Sequence, residues 1–65
     1  MFGDKMIKIK SLDNHYLDNR IVVREGQEYT GVRWYEEDSG EYFYFVFDKG
    51  VQVAELHEDW FEVVE

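Results

Sequence analysis

Sixty-five residues without a cysteine make one domain at most, one that buries only about 60% of the surface its unfolded chain exposes, with neither a disulfide nor a thiolate metal site to supplement the core. Fifteen acidic residues against seven basic ones give a formal charge of −8, which argues against direct binding to nucleic acid or anionic membrane and favours a basic partner. Burial is left to aromatic side chains, 18% of the sequence, and together with the alternating segments they set the chain apart from an acidic disordered one.

Met1-Phe2-Gly3-Asp4-Lys5 lead into no apolar segment long enough for a signal peptide or a membrane span, and whether residues 1–5 are ordered or disordered is left open. With no cysteine, the expected compartment is a reducing cytoplasm, and a cytoplasmic protein of one domain, residues 1–65, is the reading. Met6-Ile7-Lys8-Ile9-Lys10-Ser11 alternate, with Ile7 and Ile9 on one face of a half-buried first strand. Leu12 ends the alternation, and Asp13 to Asn19 read as a long polar loop. Ile21, Val22 and Val23 resume apolar character before a turn over Arg24-Glu25-Gly26-Gln27, where Gly26 supplies a positive φ.

Glu28 to Tyr35 form the second long strand, with a bulge expected at Gly31 so that Tyr29 and Val32 can share a face. After the turn Glu36-Glu37-Asp38-Ser39-Gly40 comes the central strand, Glu41 to Phe47, whose last six residues are all apolar or aromatic. Alternation points Phe43, Phe45 and Phe47 one way and Tyr42, Tyr44 and Val46 the other, and the three Phe are taken as the heart of the core. Asp48-Lys49-Gly50 turn into Val51 to Ala54, Glu55 to Asp59 suggest a single 3₁₀ turn, and Phe61 to Val64 close the chain as a last strand. Five short strands with tight connections describe an all-β meander bent into a small barrel, which hides its sheet edges.

The pieces Ile9-Lys10-Ser11-Leu12-Asp13-Asn14, Glu25-Gly26-Gln27-Glu28-Tyr29 and Trp60-Phe61-Glu62-Val63-Val64, set in this order of elements, resemble small uncharacterised SH3-like barrel proteins of Firmicutes and their phages. The resemblance implies a five-stranded SH3-like barrel with one 3₁₀ turn before the last strand, and a phage or mobile-element origin; it carries no activity with it. In peptide-binding SH3 domains an aromatic groove is built from the long first loop, the third strand and the helical turn. Tyr16, Tyr42 and Trp60 stand at those places, with Asp13, Asp18 and Glu25 near enough to meet a basic ligand. The Ala-Leu-Tyr-Asp-Tyr motif and the groove Pro of that family have no counterpart in this chain.

Tyr16, Trp34, Tyr35, Tyr42, Tyr44 and Trp60 are more rings than so small an interior encloses beside three Phe. Either they form an outer packing layer or they make a contact patch of rigid anchors rimmed by carboxylates. On the second reading the partner-binding set is Tyr16, Asp18, Trp34, Tyr42 and Trp60. His15 and His57 lack paired-ligand spacing and read as exposed histidines, and Asp13, Asp18 and Glu36-Glu37-Asp38 lack the one-three-five spacing of a calcium loop. Ser11 is expected to face the core and Ser39 to sit in a turn, and neither has the surroundings of a nucleophile. Neither a catalytic site, a metal nor a cofactor is expected. The chain reads as a non-enzymatic module that binds a basic peptide or protein surface. Two alternatives stay open: an acidic mimic of nucleic acid carried by Glu36, Glu37, Asp38, Glu55, Glu58 and Asp59, and a self-associating assembly subunit.

Overall fold

Residues 6–64 are described in the computed structural model, and among them the chain is mostly strand with a single 3₁₀ turn. The question of order in Met1–Lys5 lies outside these residues. The elements are β1 (Met6–Ser11), β2 (His15–Leu17), β3 (Arg20–Val23), β4 (Glu28–Glu36), β5 (Glu41–Asp48), β6 (Val51–His57), η1 (Glu58–Trp60) and β7 (Phe61–Val63). Five of the strands form one antiparallel sheet in the order β6-β5-β4-β1-β7, and β2 pairs with β3 in a hairpin of its own. None of the described helical segments is long and apolar enough to cross a membrane.

Turn chemistry explains the connections. Asp18 and Asn19 both take positive φ (53° and 69°) between the paired residues Leu17 and Arg20, as a two-residue type I′ hairpin demands. What reads in the sequence as a polar loop is therefore a hairpin, and the expected five strands become seven. Lys49 and Gly50, at 52° and 83°, turn the chain in the same manner between Asp48 and Val51. Gly26 takes the positive φ expected of it, 82°, and its N–H donates to the Ser11 carbonyl at 2.8 Å.

The register of β5 reverses the expected core. Tyr44 and Val46 point inward with Ile9, Val23, Tyr29 and Phe61, all of them buried, while Phe43, Phe45 and Phe47 lie half-buried on the other side of the sheet. A run of six apolar residues has no polar member to mark its wet face, so alternation alone does not choose between the two faces. Nor is there a bulge at Gly31. That residue sits in unbroken register between Ile7 and Val46, and Val32 simply faces outward, away from Tyr29. The irregularity falls between Val46 and Phe47 in the pairing of β5 with β6. Close packing, not a bulge, accounts for the glycine. A Cβ at Gly31 would stand 2.6 Å from Ile9 Cδ1 and 3.1 Å from Tyr44 Cδ1, so its missing side chain is the space those two occupy.

Ser11 is buried, as expected, and its hydroxyl donates to the Asp13 carbonyl at 2.6 Å. The bond satisfies the hydroxyl and fixes the exit from β1.

Candidate functional site

Aromatic and charged side chains from β4, β5, η1 and β2 form a strip of two contact groups that η1 connects. It starts at the β4–β5 turn, where Gly40 takes φ of 73° and donates to the Glu36 carbonyl at 2.9 Å. The turn sets Tyr35 opposite Tyr42, with ring centroids 5.1 Å apart. Two residues back on the same face of β4, the Arg33 guanidinium lies 3.5 Å over the Tyr42 ring. The Nε and Nη2 of Arg33 both donate to Glu58 Oε1 at 3.1 Å, so the guanidinium is held between an aromatic face and a carboxylate.

Glu58 opens η1, whose N-cap is His57: the Nδ1 of this ring accepts from the Asp59 N–H at 3.0 Å. Its Nε2 contacts the Glu41 carboxylate, and its ring packs edge-on against Phe43. An accepting Nδ1 leaves the ring proton on Nε2, aimed at Glu41. Trp60 ends η1; its carbonyl accepts from the Leu12 N–H at 2.8 Å and its ring meets His15 at 4.2 Å in a T-shaped contact. The strip thus has two contact groups, Tyr35, Tyr42, Arg33 and Glu58 in one and Trp60 and His15 in the other, linked through the three residues of η1, with the exposed Tyr16 next to His15 in β2.

Within it, Tyr16, Tyr35 and Trp60 are 63%, 50% and 39% exposed, while Tyr42 is half-buried beneath Arg33. Asp18 stands in the β2–β3 turn and Asp13 and Glu25 are exposed near the same end, where the Asn14 side chain accepts from the Glu25 N–H at 2.8 Å. Trp34 does not join this set. It lies on the opposite face of β4, packed on Phe43 and Phe45 at 5.5 and 5.4 Å.

The acidic residues proposed as a row divide among three places. Glu36 and Glu55 share the outer face with Trp34, and the Glu36 carboxylate accepts from Ser39 Oγ at 2.6 Å. Glu58 is paired with Arg33, and Asp59 lies 3.6 Å from His57. Glu37 and Asp38 are exposed in the β4–β5 turn.

Neither histidine is simply exposed. Both are half-buried, His15 against Trp60 and His57 between Glu41 and Asp59. Among the described residues no three His, Cys, Asp or Glu side chains are grouped so as to hold a metal. Beneath the strip, burial pushes the Tyr44 hydroxyl above the usual tyrosine range; the Arg33 charge opposes this shift and Glu58 adds to it.

Tyr16, Tyr42 and Trp60 were reached through the places they take in the SH3-like resemblance, whereas Arg33 was missed, Glu58 was assigned to the acidic row and His15 was read as an exposed histidine. One signal was available: Tyr29, Gly31, Arg33 and Tyr35 share a face of β4, which sets the Arg33 side chain beside the rings that the neighbouring strand places on that face. Comparison of the chain with protein-family models, with curated proteins and with solved structures finds no match.

Proposed function

We propose that this chain is a non-enzymatic interaction module of SH3-like barrel architecture, which takes a basic peptide or protein surface along the strip from Tyr35 to Tyr16. The strip itself carries the reading: rigid rings from separate elements, exposed at intervals and flanked by Asp13, Asp18, Glu25 and Asp59, have the composition of a binding hot spot with an acidic rim. Arg33 already covers Tyr42 and pairs with Glu58, so a cationic ligand would be met by the rings left exposed, Tyr16, Tyr35 and Trp60, and by the rim carboxylates.

Three features support the barrel: five sheet strands, a hairpin excursion after the first, and a 3₁₀ turn before the last. The hairpin also contributes Val23 to the core and lies against β6, on the side where the open sheet would close.

The test is affinity capture from a bacterial lysate at low and at high salt, followed by titration of the captured partner against variants. Trp60→Ala and Tyr16→Ala are expected to weaken binding at least tenfold, with modest salt dependence. If instead only charge reversal of Glu36, Glu37 and Asp38 abolishes binding, and salt does the same, the aromatic strip is not the site and nucleic-acid mimicry takes its place.

A further inference from the structure

His57 joins two elements with one side chain. It closes β6 opposite Phe43, and its extended backbone, at φ −61° and ψ 146°, makes it the N-cap of η1. Its two ring nitrogens meet different partners. Nδ1 accepts from the Asp59 N–H at 3.0 Å, Nε2 contacts the Glu41 carboxylate, and the ring packs edge-on against Phe43 at 5.3 Å. The Asp59 carboxylate stands 3.6 Å from Nδ1, just outside hydrogen-bond reach, on a side chain that is 87% exposed.

The titratable groups that face the ring are carboxylates. Glu41 approaches it from β5 and Asp59 from η1, Glu55 stands two positions back on the same face of β6, and Glu36 of β4 is paired with Glu41. Arg33 of β4 enters only through Glu58, to which both of its donors are committed.

A neutral imidazole holds these partners in one tautomer only, with the proton on Nε2, because Nδ1 keeps its lone pair for the Asp59 N–H. A second proton has only Nδ1 to bind, and there it ends the cap, since two N–H groups would then face each other across 3.0 Å. We infer that His57 is a proton-operated latch on η1: it caps the turn at the Asp59 N–H while the ring is neutral, and it releases that N–H in exchange for the Asp59 carboxylate when the ring is charged. The exchange runs forward because a charge-assisted hydrogen bond is roughly twice as strong as a neutral one. Little movement is needed: closing 3.6 Å to about 2.8 Å brings the carboxylate onto Nδ1.

The effect reaches past the cap because η1 is three residues long. Glu58, before Asp59, is bound to Arg33, and Trp60, after it, meets His15, so release of the Asp59 N–H acts on both contact groups of the strip. It also draws one rim carboxylate inward beside a new positive charge, and a cationic ligand should bind severalfold less tightly in that state. This last step rests on the ligand reading of the strip; the latch does not.

Nuclear magnetic resonance of the labelled full chain, from about pH 8 down to 5, covers the range in which an imidazole ordinarily changes charge and tests the inference. The ring nitrogen shifts at high pH are expected to show the proton on Nε2, and a scalar coupling should join Nδ1 to the Asp59 amide nitrogen across their hydrogen bond. On acidification the coupling should vanish as the His57 ring takes its proton, with the Asp59 amide proton moving upfield and the Arg33 Nε–H shifting at the same midpoint. The Trp60 indole is not a reporter, because a second imidazole, His15, lies against it. His57→Asn sets an amide oxygen near the place of Nδ1 and takes no proton, so the Asp59 amide should keep its high-pH position throughout. Asp59→Asn retains the N–H and removes the charged acceptor, so the ring should take its proton at lower pH. A neutral ring with its proton on Nδ1, a coupling that survives protonation, or an Asp59 amide that shifts equally in His57→Asn overturns the inference. These measurements contain no ligand, so their failure leaves the reading of the strip standing. A lysine-rich peptide that binds equally well at both ends of the range, while the coupling is still lost, would remove Asp59 from the ligand rim and keep the latch.

Discussion

Gly31 shows how much of the packing rests on a single position. Its φ lies in the ordinary extended region, so conformational freedom is not the reason for a glycine; the reason is the approach of Ile9 and Tyr44 to its Cα. Ile9 is fully buried at the centre of the core and has nowhere to retreat. Gly31→Ala is therefore expected to destabilise the chain by about 1–3 kcal/mol through overpacking, despite the gain in β-propensity that alanine brings over glycine. Urea denaturation measures it, and a variant as stable as the parent would mean that Ile9 is free to move. Arg33, two positions further along the same face, illustrates the opposite limit. Its value to stability is small, since the ion pair with Glu58 is partly exposed, but it fixes where η1 sits relative to Tyr42.

At the scale of elements, β5 decides the fold. Its inward residues Tyr44 and Val46 join Tyr29, Ile9 and Phe61, and the Tyr44 and Phe61 rings meet edge to face at 5.7 Å. Its outward residues Phe43 and Phe45 instead share the Trp34 ring. Phe61→Ala should then cost about 3–5 kcal/mol, as for a ring lost from a core. Phe45→Ala should cost about 1–2 kcal/mol, a partial burial term plus one aromatic contact. Equal losses, measured by denaturant midpoints at unchanged slope, would refute this assignment of faces. The five strands of the main sheet were legible, because β1 and β7 alternate and the turns at Gly26, Gly40 and Gly50 are marked by residue type, although β6 runs past Ala54 to His57 and the 3₁₀ turn falls at Glu58–Trp60 rather than starting at Glu55. Two things were not. The run from Tyr42 to Phe47 hides its own facing, and the β2–β3 hairpin is built on Asp18 and Asn19 in left-handed backbone, a conformation these residues adopt far less readily than glycine. The strip was half legible for a related reason. Tyr42 and Trp60 announce themselves by type, whereas the contact that joins their elements, Arg33 to Glu58, spans 25 residues of sequence and follows only from the sheet order.

For the molecule as a whole, the opposing effects are attraction in a few surface ion pairs and repulsion among an excess of carboxylates. Lys8 with Glu28 and Lys10 with Glu62 are 3.9 Å apart and well exposed, a geometry that contributes at most a few tenths of a kcal/mol each. Against them stand a net charge of −8 on 65 residues and a turn carrying Glu36, Glu37 and Asp38 in succession. Self-repulsion of that size penalises the compact state more than the expanded one, and it is screened within about 8 Å at physiological ionic strength. Raising sodium chloride should therefore raise the unfolding temperature, by several degrees between near-zero and about 0.3 M salt, on the order expected for about 1 kcal/mol in so small a domain. The scan belongs at low-micromolar chain, so that the effect of charge on folding is read on the isolated molecule. A fall in unfolding temperature with salt would mean that the ion pairs outweigh the repulsion, and the Arg33–Glu58 contact, the shortest and most enclosed of those with an arginine or lysine, would be the first place to look for the missing stability.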